Sequence, residues 1–283
     1  MRETITEVAT RDGVRLHVRG YESDAPAGEG QPIRPVLLLH GWPNSGRAWR
    51  AFADALLLGP GHRLIAPDFR GFGDSEKVTA GYTCDTFAND VEDVAASLGL
   101  SRYALIGHSM GGKIAQVLAA RQPVELMGLA LVAPAALGAA GAPEERKAAQ
   151  RAAFGDQERT RELVSTMASH PLPAEMLAVL TEDGLRAAPA AWNGWIDTMR
   201  EEDFSAGSAK IAVPTLVAGG GKDPLRTEEA LRRDVVDPID LAEYAEVPSV
   251  GHLVHIEAPE ALAALLVNFL DRLPAPAAGG TGG

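Results

Sequence analysis

One stretch constrains the chain more than any other: Arg102-Tyr103-Ala104-Leu105-Ile106-Gly107-His108-Ser109-Met110-Gly111-Gly112-Lys113-Ile114-Ala115. Tyr103 to Ile106 reads as a short buried strand, and Met110 to about Arg121 as a helix. The turn between them fits Gly-x-Ser-x-Gly, with Gly107, Ser109 and Gly111 in the defining places. Such a turn holds its serine on a strained strand-to-helix corner, with the hydroxyl clear of the backbone above the sheet. Gly107 and Gly111 stand where strand and helix pass too closely for side chains. The helix N-terminus aims free backbone N–H groups at the same spot, where they can stabilise negative charge. A serine that merely caps the helix is the plainer alternative. Partners elsewhere in the chain decide between the two.

A serine hydroxyl needs a base within hydrogen-bond reach, and the base needs an acid to hold it. The chain has seven histidines. His252 follows the last expected strand, in Ser249-Val250-Gly251-His252, and a parallel sheet brings that loop to the edge that carries Ser109. His255 is the second choice for the base and otherwise structural. His17, His62 and His170 fall in a hairpin, a surface loop and a helical insertion. The acid is expected at Asp223, on the glycine-rich loop Gly219-Gly220-Gly221-Lys222-Asp223-Pro224, which gives the order Ser, Asp, His. Asp before Pro is also a common turn former. The loop Ala133-Pro134-Ala135-Ala136 offers no rival carboxylate.

Two backbone N–H groups must meet the developing oxyanion. One is that of Met110. The other is that of Trp42, in His40-Gly41-Trp42-Pro43-Asn44-Ser45, where Gly41 lets the backbone turn toward the site and His40 is expected to brace the loop. Asp68-Phe69-Arg70-Gly71-Phe72-Gly73-Asp74-Ser75 alternates carboxylates with glycines and aromatics without completing a coordination shell, so it reads as a compact turn. No metal or cofactor is expected.

The rest of the chain alternates strand and helix. Residues 4–21 suggest a hairpin, Ile5 to Ala9 and Val14 to Tyr21, followed by a Gly/Pro/acid-rich loop over Glu22 to Arg34. Pro35 to Leu39 is a continuous apolar run, the mark of a strand buried on both faces. Arg47 to Leu58 reads as helix, Arg63 to Pro67 as strand, Thr86 to Leu98 as helix, and Leu129 to Val132, Pro214 to Ala218 and Ala242 to Val247 as strands. Pro259 to Leu273 closes as an amphipathic helix. The alternation predicts an α/β fold, a mostly parallel central sheet flanked by helices. Its core comprises residues 1–135 and 207–273. Residues 136–206 form a helical cap insertion, and 274–283 a disordered tail.

A net charge of -12 argues against nucleic acid or anionic membrane as partners. Cys84 is the only cysteine, so no intrachain disulfide can form. Nothing at the N-terminus reads as a secretory signal, and no stretch approaches the ~18 apolar residues of a membrane span, so a cytoplasmic location is expected. Oligomeric state is open.

Over residues 4–273 the chain resembles the α/β-hydrolase fold superfamily. The likeness rests on His40-Gly41-Trp42-Pro43, on Asp68, Gly71, Gly73 and Ser75, on Gly107-His108-Ser109-Met110-Gly111-Gly112, on Asp223, and on Gly251-His252 followed by Glu257, Pro259 and Glu260. Relatives resembling epoxide hydrolases and haloalkane dehalogenases use an aspartate nucleophile, where this chain has Ser109. The motifs look like those of the serine esterase and cofactor-free haloperoxidase branch. That branch more often has Phe before the serine, and His108 departs from it. The resemblance implies a carboxylesterase for small to medium esters. A lactonase, carbon–carbon bond hydrolase, perhydrolase or carrier-acyl hydrolase stands as the alternative, and a non-catalytic ligand-binding member as a different class. Trp42, His108, Met167, Trp192, Trp195 and Met199 are the expected lining of the substrate pocket.

Overall fold

The run Arg34–Leu39 forms a strand whose side chains alternate between two cores. Leu37 and Leu39 pack on one side of the sheet, Val36 and Leu38 on the other. In a computed structural model that describes residues 1–24, 33–57 and 61–274, this strand is β3 of an eight-stranded sheet ordered β1-β2-β4-β3-β5-β6-β7-β8. Strands β1 (Arg2–Ala9) and β2 (Arg15–Glu22) form the antiparallel hairpin, and β2 also runs antiparallel to β4 (His62–Pro67). From β4 across to β8 the pairing is parallel, through β5 (Tyr103–His108), β6 (Leu126–Val132), β7 (Thr215–Gly220) and β8 (Ala242–Val247). The register pairs Leu39 with Gly107, His108 with Val132, Val132 with Ala218 and Gly220 with Val247. The loops leaving these strands therefore share one edge.

Helices cover both faces. A turn of 3-10 helix, Gly46–Trp49, is capped by Ser45 and leads into α1 (Arg50–Leu56). This α1 and the last helix, α10 (Pro259–Arg272), seal one core with Phe52, Leu266, Phe269 and Leu270. Helices α2 (Cys84–Ser97) and α3 (Met110–Ala120) seal the other with Phe87, Val91, Ile114 and Leu118. Between β6 and β7 come α4 (Glu144–Ala152), α5 (Gln157–Ser165), α6 (Ala174–Arg186) and α7 (Pro189–Gly194), then a π-helical turn, Trp195–Met199. Short helices α8 (Glu228–Leu231) and α9 (Val254–Glu257) follow β7 and β8.

The expected strands and helices are present, with two shifts that have a physical source. The expected helix from Arg47 starts as a 3-10 turn, closed by Ala48 N–H on Ser45 O at 3.1 Å and capped by the Ser45 hydroxyl, which accepts the Arg47 N–H at 3.3 Å. His62, expected in a surface loop, is the first residue of β4, paired with Arg34. Most of the expected Glu22–Arg34 loop, the end of the first helix at Leu58 and the tail beyond Pro274 lie outside the described residues. No helix among the described residues is long and apolar enough to cross a membrane.

Candidate active site

Ser109 sits between β5 and α3 at φ 51° and ψ −111°, a left-handed backbone that a residue with a Cβ adopts only under strain. The corner is held by close backbone passage. A Cβ at Gly107 would lie 2.4 Å from the Gly111 carbonyl oxygen, and one at Gly111 2.4 Å from that of Leu39. The Ser109 N–H donates to Val132 O at 3.1 Å, and its carbonyl accepts from Ala135 N at 3.0 Å. The end of β6 and the loop that follows it thus fix the corner.

Ser109 Oγ lies 2.9 Å from His252 Nε2, and His252 Nδ1 lies 2.7 Å from Asp223 Oδ2. The other oxygen, Asp223 Oδ1, accepts the N–H groups of Leu225 and Arg226 at 2.7 and 3.0 Å. With both oxygens engaged the carboxylate cannot rotate. An acceptor at Nδ1 places the ring proton there and leaves Nε2 free to accept the serine hydroxyl. The loop that carries the imidazole is gripped in turn by Glu257, which accepts Gly251 N–H at 3.0 Å, Leu253 N–H at 3.2 Å and the Ser169 hydroxyl at 2.8 Å. His252 N–H also donates to Met167 O at 2.8 Å, so the segment between β6 and β7 is hydrogen-bonded to this loop.

The loop after β3 approaches from the other side. A Cβ on Gly41 would come within 3.2 Å of Ser109 Cβ, which shows how closely its backbone passes the hydroxyl-bearing residue. His40 holds this loop: Phe69 N–H donates to its Nε2 at 3.0 Å, and its Nδ1 then donates to Gly41 O at 3.0 Å. Burial pushes His40 down to about 4, so it stays neutral. The backbone N–H groups of Trp42 and Met110 donate to no described residue.

A serine on a strand-to-helix corner stands in line with an imidazole and a carboxylate at one sheet edge. The family described as alpha/beta hydrolase fold matches residues 34–259. The chain belongs to that family. Among its relatives, a non-heme chloroperoxidase of Kitasatospora aureofaciens is 43% identical over 103 residues, 36% of this hydrolase and 34% of that protein. That match spans only about a third of the chloroperoxidase. Lipase 3 of a Moraxella species is 29% identical over 262 residues, covering 89% of this chain and 80% of the lipase. Among solved structures, an esterase of Exiguobacterium antarcticum superposes with a TM-score of 0.84 at 23% identity, over 95% of this chain and all of that one.

In this α/β hydrolase a cavity of about 140 Å³ opens onto Ser109 and His252. Trp42, Met167 and Trp195, expected in its lining, are there. His108, Trp192 and Met199 are not, which corrects the expectation. His108 is buried behind the site, its Nε2 2.9 Å from the His252 carbonyl oxygen and its ring 4.4 Å from that of His255. Trp192 is fully buried, edge-on to Trp42 at 4.6 Å, and donates its Nε1–H to Gln150 O at 2.9 Å. Met199 is fully buried in the core beside Cys84. All three lie one layer behind the cavity wall. The sequence reading missed Arg146, Gln150, Arg200, Leu225 and Arg226, which line the cavity. Arg200 lies in Arg200-Glu201-Glu202, which reads as a solvated helix end and carries no signal of a cavity.

Outside the cavity, His17, Asp68 and Asp74 bring ligand-type atoms within 4.8 Å of one another. Asp68 is already committed to the turn, accepting Gly46 N–H at 2.7 Å and Asp74 N–H at 2.8 Å. The cluster reads as a brace between the hairpin and the loop that follows β3.

His255, the second choice for the base, is fully buried with neither ring nitrogen hydrogen-bonded among the described residues, its ring centroid 4.5 Å from that of Trp49 and tilted by 39°. Burial pushes it from 6.5 down to about 3. The folded protein keeps this ring neutral, whereas the unfolded chain takes up a proton below pH 6.5. Stability is therefore lost as pH falls from 6.5 toward 3, by about 2 kcal/mol at pH 5 from this one group. Urea unfolding midpoints at pH 7 and pH 5 should show the loss, and His255→Phe should shrink the difference between them. An unchanged pH dependence in the variant would contradict the assignment.

Proposed function

We propose that this α/β hydrolase is a serine carboxylesterase for small carboxylic esters, with residues 136–206 acting as its cap. The observation that carries the reading is the continuous line Asp223–His252–Ser109, at 2.7 and 2.9 Å, opening onto a cavity. In this scheme Ser109 Oγ attacks the ester carbonyl while His252 Nε2 takes its proton. The tetrahedral oxyanion is met by the N–H groups of Trp42 and Met110, on the two backbone segments that flank Ser109. His252 then returns the proton to the departing alcohol, which leaves an acyl ester on Ser109. Water attacks that ester with His252 again as base, which frees the acid and restores the serine. Asp223 fixes the tautomer and balances the positive charge that the ring gains in each half-reaction.

The names of the relatives, chloroperoxidase, lipase and esterase, are compatible with one acyl-serine scheme in which the second acceptor differs. Treatment with a fluorophosphonate probe should label one serine per chain, and peptide mapping should place the label on Ser109. The labelled protein should then fail to turn over p-nitrophenyl butyrate. A panel of esters, lactones, carbon–carbon bond substrates and hydrogen peroxide as a competing acceptor would rank the chemistries. No labelling would favour a ligand-binding member of the fold and sink the esterase reading.

A further inference from the structure

Three charged side chains line the cavity at Ser109, and all three are arginines: Arg146, Arg200 and Arg226. Among the described residues no Asp or Glu joins them, in a chain with 38 acidic residues against 26 basic ones. Arg226 has a partner, Asp234 at 3.2 Å. Arg146 and Arg200 have none among the described residues. The acids near Arg200 in sequence are engaged elsewhere, Asp197 with Arg151, Glu201 with Lys147, and Glu202 accepting the Cys84 N–H at 2.8 Å.

Arg200 is only 8% exposed. Its Nη1 donates to Gln150 Oε1 at 3.1 Å, and its guanidinium lies over the Trp195 ring at 5.3 Å. The Nε and Nη2 donors have no acceptor among the described residues, and these two form the side of the guanidinium that grips a carboxylate through two parallel hydrogen bonds. Burial first, and then the like charge of Arg146, pull the group down to about 10, against partial opposition from Glu201 and Asp197. A buried charge without a counter-charge is costly. The fold nevertheless holds it there. Arg200 N–H closes the π-helical turn on Trp195 O at 3.3 Å, and Arg200 O accepts Ala140 N–H at 2.9 Å. Turns of this kind interrupt helices mostly at functional sites.

We propose that the esters this cavity takes carry a free carboxylate, which binds Arg200 while the scissile carbonyl sits at Ser109. Arg146, at the exposed rim, adds attraction for the incoming anion. The inference rests on the esterase reading and narrows it to half-esters of short dicarboxylic acids, a compact class suited to so small a cavity.

The test compares monomethyl succinate, glutarate and adipate with methyl butanoate, pentanoate and hexanoate, following acid release in a pH-stat. At least one half-ester should exceed its neutral counterpart in kcat/KM by about tenfold to a hundredfold, the worth of a paired charge-assisted contact. Arg200→Met should lower the half-ester to neutral-ester ratio by the same factor, and Arg200→Lys should recover part of it, as charge without the fork. A melting curve shows whether the variants are folded. If Arg200→Met does not fold, the ratio in the parent protein and its fall with added salt decide the matter alone. No preference for any half-ester, or an Arg200→Met protein with an unchanged ratio, would overturn the proposal. Calorimetry of glutarate with the Ser109→Ala protein separates this claim from the one it rests on. Glutarate binding lost in Ser109→Ala/Arg200→Met, without turnover of any ester by the parent, would keep the anion site and sink the esterase. Turnover of neutral esters without glutarate binding would do the reverse.

Discussion

Ser109→Ala is expected to lower kcat for p-nitrophenyl butyrate by about 10⁵- to 10⁶-fold, the scale seen when a nucleophile acting with its base is removed. The loss is that large because the carboxylate–imidazole line ends on Ser109 Oγ at 2.9 Å, and no other hydroxyl among the described residues bonds His252 Nε2. The fold should survive, since the corner is made by Gly107 and Gly111 and by main-chain bonds of residue 109 that alanine keeps. Adding His252→Ala should cost little more, because the two side chains act as a unit. Single-turnover kinetics on protein with a parent-like melting curve checks both statements. A Ser109→Ala protein that works at the parent rate would remove the nucleophile assignment.

Asp223→Asn is the second large effect, with an expected loss in kcat of about 10⁴-fold. The geometry makes this substitution unusually clean. Oδ1 of residue 223 accepts two backbone N–H groups, from Leu225 and Arg226, and only an oxygen can do that. An asparagine must therefore turn its NH₂ toward His252 Nδ1, 2.7 Å away. That donor forces the proton onto Nε2, where the ring can no longer accept the Ser109 hydroxyl. The rate of fluorophosphonate labelling at Ser109 should fall in parallel with kcat, while the melting temperature stays close to that of the parent. Labelling at the parent rate would mean that Asp223 does not set the tautomer.

The elements that place the site could be read from the chain because each rests on local chemistry. The apolar run of β3, the glycines around Ser109 and the Pro at the start of α10 act over a few residues, and short-range sterics and patterning decide them. The order Ser109, Asp223, His252 needed one further step, that parallel strands bring their following loops to one edge. The register, with Leu39 beside Gly107 and Gly220 beside Val247, shows that shared edge.

The cavity wall was legible only in part. Trp42, Met167 and Trp195 were expected and line it; His108, Trp192 and Met199 were expected and do not. A buried aromatic and a pocket-lining aromatic look alike in sequence, because both satisfy the same apolar patterning. The arginines were hidden for the opposite reason. Arg200 stands among glutamates in a segment that reads as a solvated surface, and only the π-helical turn and the neighbouring Trp195 carry it inward. By itself, the chain determined the sheet, the helices and the three residues in line, since strand burial and glycine sterics are properties of adjacent residues. The tertiary structure alone decided which side chains the segment between β6 and β7 turns toward Ser109, because that depends on how distant segments pack, and it left a buried cation there without an ion-pair partner among the described residues.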